Sequence, residues 1–181
     1  MPMRILPFVA ATSFCLFVAA PLCAQRERHD PLTYAQAEQI AEAGIEPNIR
    51  IGLYAKFLTE QVDALQALVR RIPSVTRDQQ INTALENLAD LMDELGDNLD
   101  TYGGRKADMR KGLKKLNEAI PHWQRILHDL PKEKSFSVAR EDATESFNDL
   151  ASQAKQLLVS QTDYFKEHKD QRGQQRYEPP Q

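Results

Sequence analysis

From Ile51 onward, apolar residues recur at steps of three and four, and each such run marks one face of a helix. The first is Ile51, Tyr54, Leu58, Val62, Leu65, Val69 and Ile72, closed by Pro73. The second, Ile81, Leu85, Leu88, Met92, Leu95, Leu99 and Tyr102, alternates four and three without a miss, the heptad spacing of helices that pack along their length. After Gly103-Gly104 the spacing resumes with Met109, Leu113, Leu116, Ile120, Trp123, Leu127 and Leu130. Beyond the loop at Pro131–Lys134 comes the last run: Ala143, Phe147, Leu150, Ala154, Leu157, Gln161 and Tyr164. No stretch alternates with period two long enough to define a strand, so the pattern predicts an all-α fold.

Capping residues punctuate these runs. Thr33 and Gln36 stand in capping-box relation at the start of a short helix that Gly44 closes, and Pro47 suits the first position of the next. Thr76 with Gln79 reads as a second capping box. Ser137 reads as the cap of the last helix, with Glu141 and Asp142 in its first turn. The long helices are expected near 47–72, 77–102, 105–130 and 137–167, an elongated antiparallel four-helix bundle with a short helix in front.

The alternative is three helices, with one long central helix over 77–130. The heptad phase survives Gly103-Gly104, and two glycines inside a long helix cost only about 2 kcal/mol. Pro121 would have to kink the later run or sit at a break. Burial favours the bundle, because a chain of this length should remove about two thirds of its unfolded surface from water. Charge points the same way. Ile81–Gly104 holds six acids and no base, whereas Arg105–Lys115 holds six bases and only Asp108, so the two runs would attract if folded back on each other.

The ends read differently. Arg4 precedes an apolar run from Phe8 to Ala20 and then Pro21-Leu22-Cys23-Ala24, so residues 1–24 read as an export signal. Ile5–Gln25 is also just long enough to cross a bilayer, so a retained anchor is the alternative, and the membrane enters as a partner only in that case. Leu22 stands where a small residue should precede a lipidated cysteine, which argues against a lipoprotein. Residues 25–167 form the expected helical domain, and the polar stretch 168–181 reads as a disordered tail.

The 181 residues suit one ordinary domain, and the net charge of −3, about −4 once Arg4 leaves with the leader, is too mild to imply a nucleic-acid partner. Both cysteines lie in the leader, so the processed chain has no disulfide, no Cys-ligated metal and no cysteine nucleophile. No glycine-flanked serine elbow or phosphate-loop pattern occurs, and the expectation is a protein that is not an enzyme, with no catalytic residue, cofactor or metal ligand. Glu118 and His122 have a spacing that can place two metal ligands on one helix face, but both point away from the apolar run and read as solvated surface. Arg105, Lys106, Arg110, Lys111, Lys114 and Lys115 form the most distinctive surface feature. It reads either as a contact for an anionic partner, such as lipid headgroups or an acidic polymer, or as the partner of the acidic run before it; the second reading needs no ligand.

Leu32-Thr33-Tyr34-Ala35-Gln36 resembles the L-T-x-x-Q motif of periplasmic envelope-stress chaperone and metal-resistance proteins, present here once. That resemblance implies a chaperone-like or metal-binding helical protein. More broadly, Asp30-Pro31-Leu32-Thr33 through Leu53-Tyr54-Ala55-Lys56-Phe57, with Asp93-Glu94-Leu95 and Tyr102 to Arg110-Lys111, is similar to an uncharacterised group of exported bacterial helical proteins. It implies an exported, periplasmic or secreted all-helical protein and brings no ligand. The function expected is a structural or protein-interaction module of the cell envelope, meeting a protein partner or a second copy through its helix faces.

Overall fold

The computed structural model describes residues 30–173; the expected signal at 1–24 and the end of the tail, 174–181, lie outside the described residues. Among the described residues there are five α-helices: α1 Tyr34–Glu42, α2 Pro47–Val69, α3 Val75–Gly104, α4 Arg110–His128 and α5 Ser137–Glu167. The chain is therefore all-α, and a break between α3 and α4 rules out the continuous helix over 77–130.

Local signals act mostly where expected. Thr33 accepts from the Gln36 backbone N–H and the Gln36 side chain returns the bond, completing the capping box of α1. Pro47 opens α2. The second box does not form: Ser74, not Thr76, caps α3 by accepting from the Arg77 N–H. Ser137 is not the cap of α5 but its first residue, and its hydroxyl donates to the Lys134 carbonyl, so Glu141 and Asp142 fall beyond the first turn. Ile72 drops out of the core, 88% exposed, because α2 stops at Val69 and the turn carries Ile72 outward. Pro121 lies within α4 on its exposed side, where its ring meets solvent.

The runs are broader than heptads. Beside the expected positions, Phe57, Leu91, Ile126 and Phe165 are buried too. A helix wedged between two neighbours needs a second apolar row.

Those neighbours are the main correction. Consecutive helices run antiparallel: Tyr54 of α2 meets Glu94 of α3 while Val69 meets Arg77, and Asn117 of α4 reaches Ala154 of α5. Yet α3 does not pack beside α4. The side-by-side pairs are α2 with α3, α4 with α5, α2 with α4 and α3 with α5. Two hairpins are thus stacked in register, and the stacked helices are parallel. Asn48 and Thr59 of α2 meet Gly112 and Trp123 of α4, while Gly96 and Asp100 of α3 bond Gln153 of α5. The link 105–109 crosses the diagonal of the bundle. The attraction expected between the acidic run of α3 and the basic run of α4 therefore has no face on which to act.

Candidate functional site

At the crossing end, backbone groups must find partners within a five-residue link, and the sequence supplies them from three helices. α3 ends with the Lys106 N–H bonded to the Gly103 carbonyl and the Ala107 N–H to the Tyr102 carbonyl, while Lys106 itself takes a left-handed conformation at φ 58°. This is the Schellman arrangement, with lysine where glycine usually sits. The turn therefore falls after Gly103-Gly104, which are both helical.

Buried Gln161 of α5 donates to the Ala107 carbonyl at 2.8 Å and accepts from the Met109 N–H at 3.1 Å. From the other side, Asn48 of α2 donates to the Asp108 carbonyl at 2.6 Å and accepts from the Gly112 N–H at 2.8 Å. One amide thus ties down the link and satisfies an N–H that the first turn of α4 leaves free. Gly112 lets the helices approach this closely, since a Cβ there would lie 2.9 Å from that of Ile51.

Asp108 is the resident anion at this helix start. Its carboxylate takes Nε and Nη2 of Arg110 at 2.8 and 2.7 Å and the Gly173 N–H at 3.1 Å. The Arg110 hydrogen bonds hold its carboxyl below the usual carboxylate range, against a smaller opposing effect of burial. The Gly173 bond also fastens the beginning of the expected tail to the bundle, helped by Arg172 Nε on the Phe165 carbonyl and by His168 stacked on Tyr164 at 4.1 Å. A groove of about 450 Å³ opens here, lined by Glu46, Asn48, Thr162, Lys111 and Lys114 beside the Asp108–Arg110 pair.

Of the six clustered bases, Arg110 is paired with Asp108, Arg105 lies over the Tyr102 ring and Lys106 over Tyr164. Lys111, Lys114 and Lys115 are exposed on α4, diagonally across from the α3 acids.

A second polar cluster lies midway along the bundle. The Tyr54 hydroxyl donates to Glu94 at 2.5 Å and Asn98 links it to Tyr102. Burial, followed by the Glu94 carboxylate, pushes the Tyr54 phenol well above its usual 10. It cross-braces α2 and α3, and its hydroxyl is engaged from both sides. Glu118 and His122 are not brought together on a ligand: Glu118 is exposed, and His122 Nε2 lies 2.8 Å from Asp63 of α2. Among the described residues no three metal-ligating side chains gather, and no helix is long and apolar enough to cross a membrane.

Sequence reasoning placed Gln161 in the buried run without giving it a task, and read Tyr54 only as apolar. For Asn48 there was no signal, because an amide near a helix start is ordinary until its neighbour in space is known. No known protein family matches the chain, and no curated protein or solved structure is found similar to it.

Proposed function

We propose that this is an exported, non-enzymatic helical module of the cell envelope that works by binding another protein, and that the exposed bases Lys111, Lys114 and Lys115 of α4 are its contact. One observation carries the reading. Lys111 stands in the first turn of α4, where it opposes the dipole, Lys114 and Lys115 extend the same charge onto the next turn, and the acidic run that could have offset all three lies across the diagonal. An arrangement that costs stability within the chain is repaid by a partner bringing negative charge. The interior supports a scaffold role as well: its amides and phenols hold helices and the crossing link, with Gln161, Asn48 and Tyr54 each engaged by protein groups.

Two measurements test the reading. The mass of the protein recovered from the envelope fraction should be that of the chain beginning at Gln25, and an intact leader on protein held in the cytoplasm would refute export. Fluorescence anisotropy with an acidic peptide should give saturable binding that weakens with salt and is lost in K111E/K114E/K115E. Binding that survives this variant would remove α4 from the contact.

A further inference from the structure

We propose that the end of the bundle opposite the crossing link docks on an anionic lipid surface, through the aliphatic tips Ile72, Val75 and Val138 and the bases Arg70, Arg71, Lys132 and Lys134. The three aliphatic residues are 88%, 76% and 70% exposed. Ile72 and Val75 flank the α2–α3 turn, and Val138 lies in the first turn of α5 at the same end. The two loops are adjacent, since Val75 and Ser135 line one shallow groove.

Charge there is sorted by direction. All four bases are exposed. The acid between Lys132 and Lys134, Glu133, turns inward to Arg77 at 3.4 Å. Buried Arg77 also takes Asp78 at 3.1 Å and donates to the Val69 carbonyl at 3.0 Å. Two acids of this end are thereby drawn inward, and of the remainder Asp129 stays exposed beside His128 at 3.0 Å, one outward acid against four outward bases in these loops, although the whole chain is net negative.

Shape decides between lipid and protein. Ile72 stands on a turn and Val75 and Val138 at helix starts, all exposed, and the groove beside Val75 is lined otherwise by polar residues, whereas a protein partner would be met by a groove with apolar walls. Aliphatic tips ringed by Lys and Arg suit the headgroup boundary, where the apolar part enters and the cations meet phosphates. Lipid contact goes beyond the protein-binding reading and uses the opposite end of the molecule, so either can fail alone.

The test is co-sedimentation of the chain from Gln25, whose described residues bury one continuous core. Vesicles of phosphatidylglycerol with phosphatidylethanolamine are compared with phosphatidylcholine alone. Partition onto the anionic vesicles is expected, falling by about tenfold or more in R70E/R71E/K132E/K134E and likewise in I72D/V75D/V138D. K111E/K114E/K115E should bind vesicles as the parent does. A V75W variant should shift its emission to the blue on vesicles, which reports burial while keeping an apolar side chain at that tip. No partition onto anionic vesicles, or partition lost only in the α4 variant, overturns the proposal. So does a dimer in sedimentation that I72D/V75D dissolves, because the tip would then belong to a second copy.

Discussion

Gln161 shows how much one side chain can be asked to hold. Its amide satisfies a carbonyl and an N–H that lie in the link 105–109 and have no helical partner. Leucine would keep the volume and lose both bonds, leaving two buried backbone groups unpaired. Gln161→Leu should therefore lower unfolding free energy by about 2–4 kcal/mol in urea titration. Asp108 acts at the same place through charge. Its native carboxyl lies below the ordinary 3.8, so the stability it contributes is complete above about pH 4 and drains away as pH falls through the lower native value. Asp108→Asn should be less stable than the parent at neutral pH, and the difference should narrow steadily when denaturation is followed into acid. A difference that stayed constant down to pH 2 would mean that the carboxylate is not the source.

At the scale of elements, helix existence was legible because burial of one face forces a three-and-four spacing whatever the partner. Pairing was not legible for the same reason: Leu85 or Leu116 is buried equally well against any apolar neighbour. The diagonal link was hidden because the residues that fix it, Asn48 and Gln161, lie far from it in sequence. Two glycine substitutions separate these effects. Gly103 and Gly104 are helical, and a Cβ at either meets nothing closer than 3.6 Å. G103A/G104A should thus raise stability by about 1 kcal/mol, contrary to the damage expected if the glycines formed the turn. At Gly112 the Cβ would lie 2.9 Å from that of Ile51 and 3.2 Å from the Asn48 backbone. Gly112→Ala should cost about 1–3 kcal/mol, and thermal melts of both variants beside the parent read the two effects.

For the whole molecule, the stacked-hairpin order makes a claim that chemistry can check. The described residues contain no cysteine, so a single pair can be introduced cleanly. Asp63 of α2 and His122 of α4 touch at 2.8 Å. D63C/H122C should be bridged within one chain by a short bifunctional thiol reagent, since the contact is between side-chain ends, and this is seen as faster migration on a non-reducing gel. In a bundle with α3 beside α4, these positions would face each other across the diagonal and remain free thiols.

The crossing link also governs what happens when two chains meet. It is the only covalent path between the hairpins, and the heptad register continues unbroken through it. If residues 105–109 straightened into helix, the back half of one polypeptide could no longer reach its own front half. It would settle on that of a second chain, with every parallel contact kept. Monomer and intertwined pair would then share one set of interfaces and differ only at this hinge. At high protein concentration and at a pH taken below the ordinary carboxylate range, where Asp108 is protonated and its grip on Arg110 loosens, exchange between differently labelled chains should quicken.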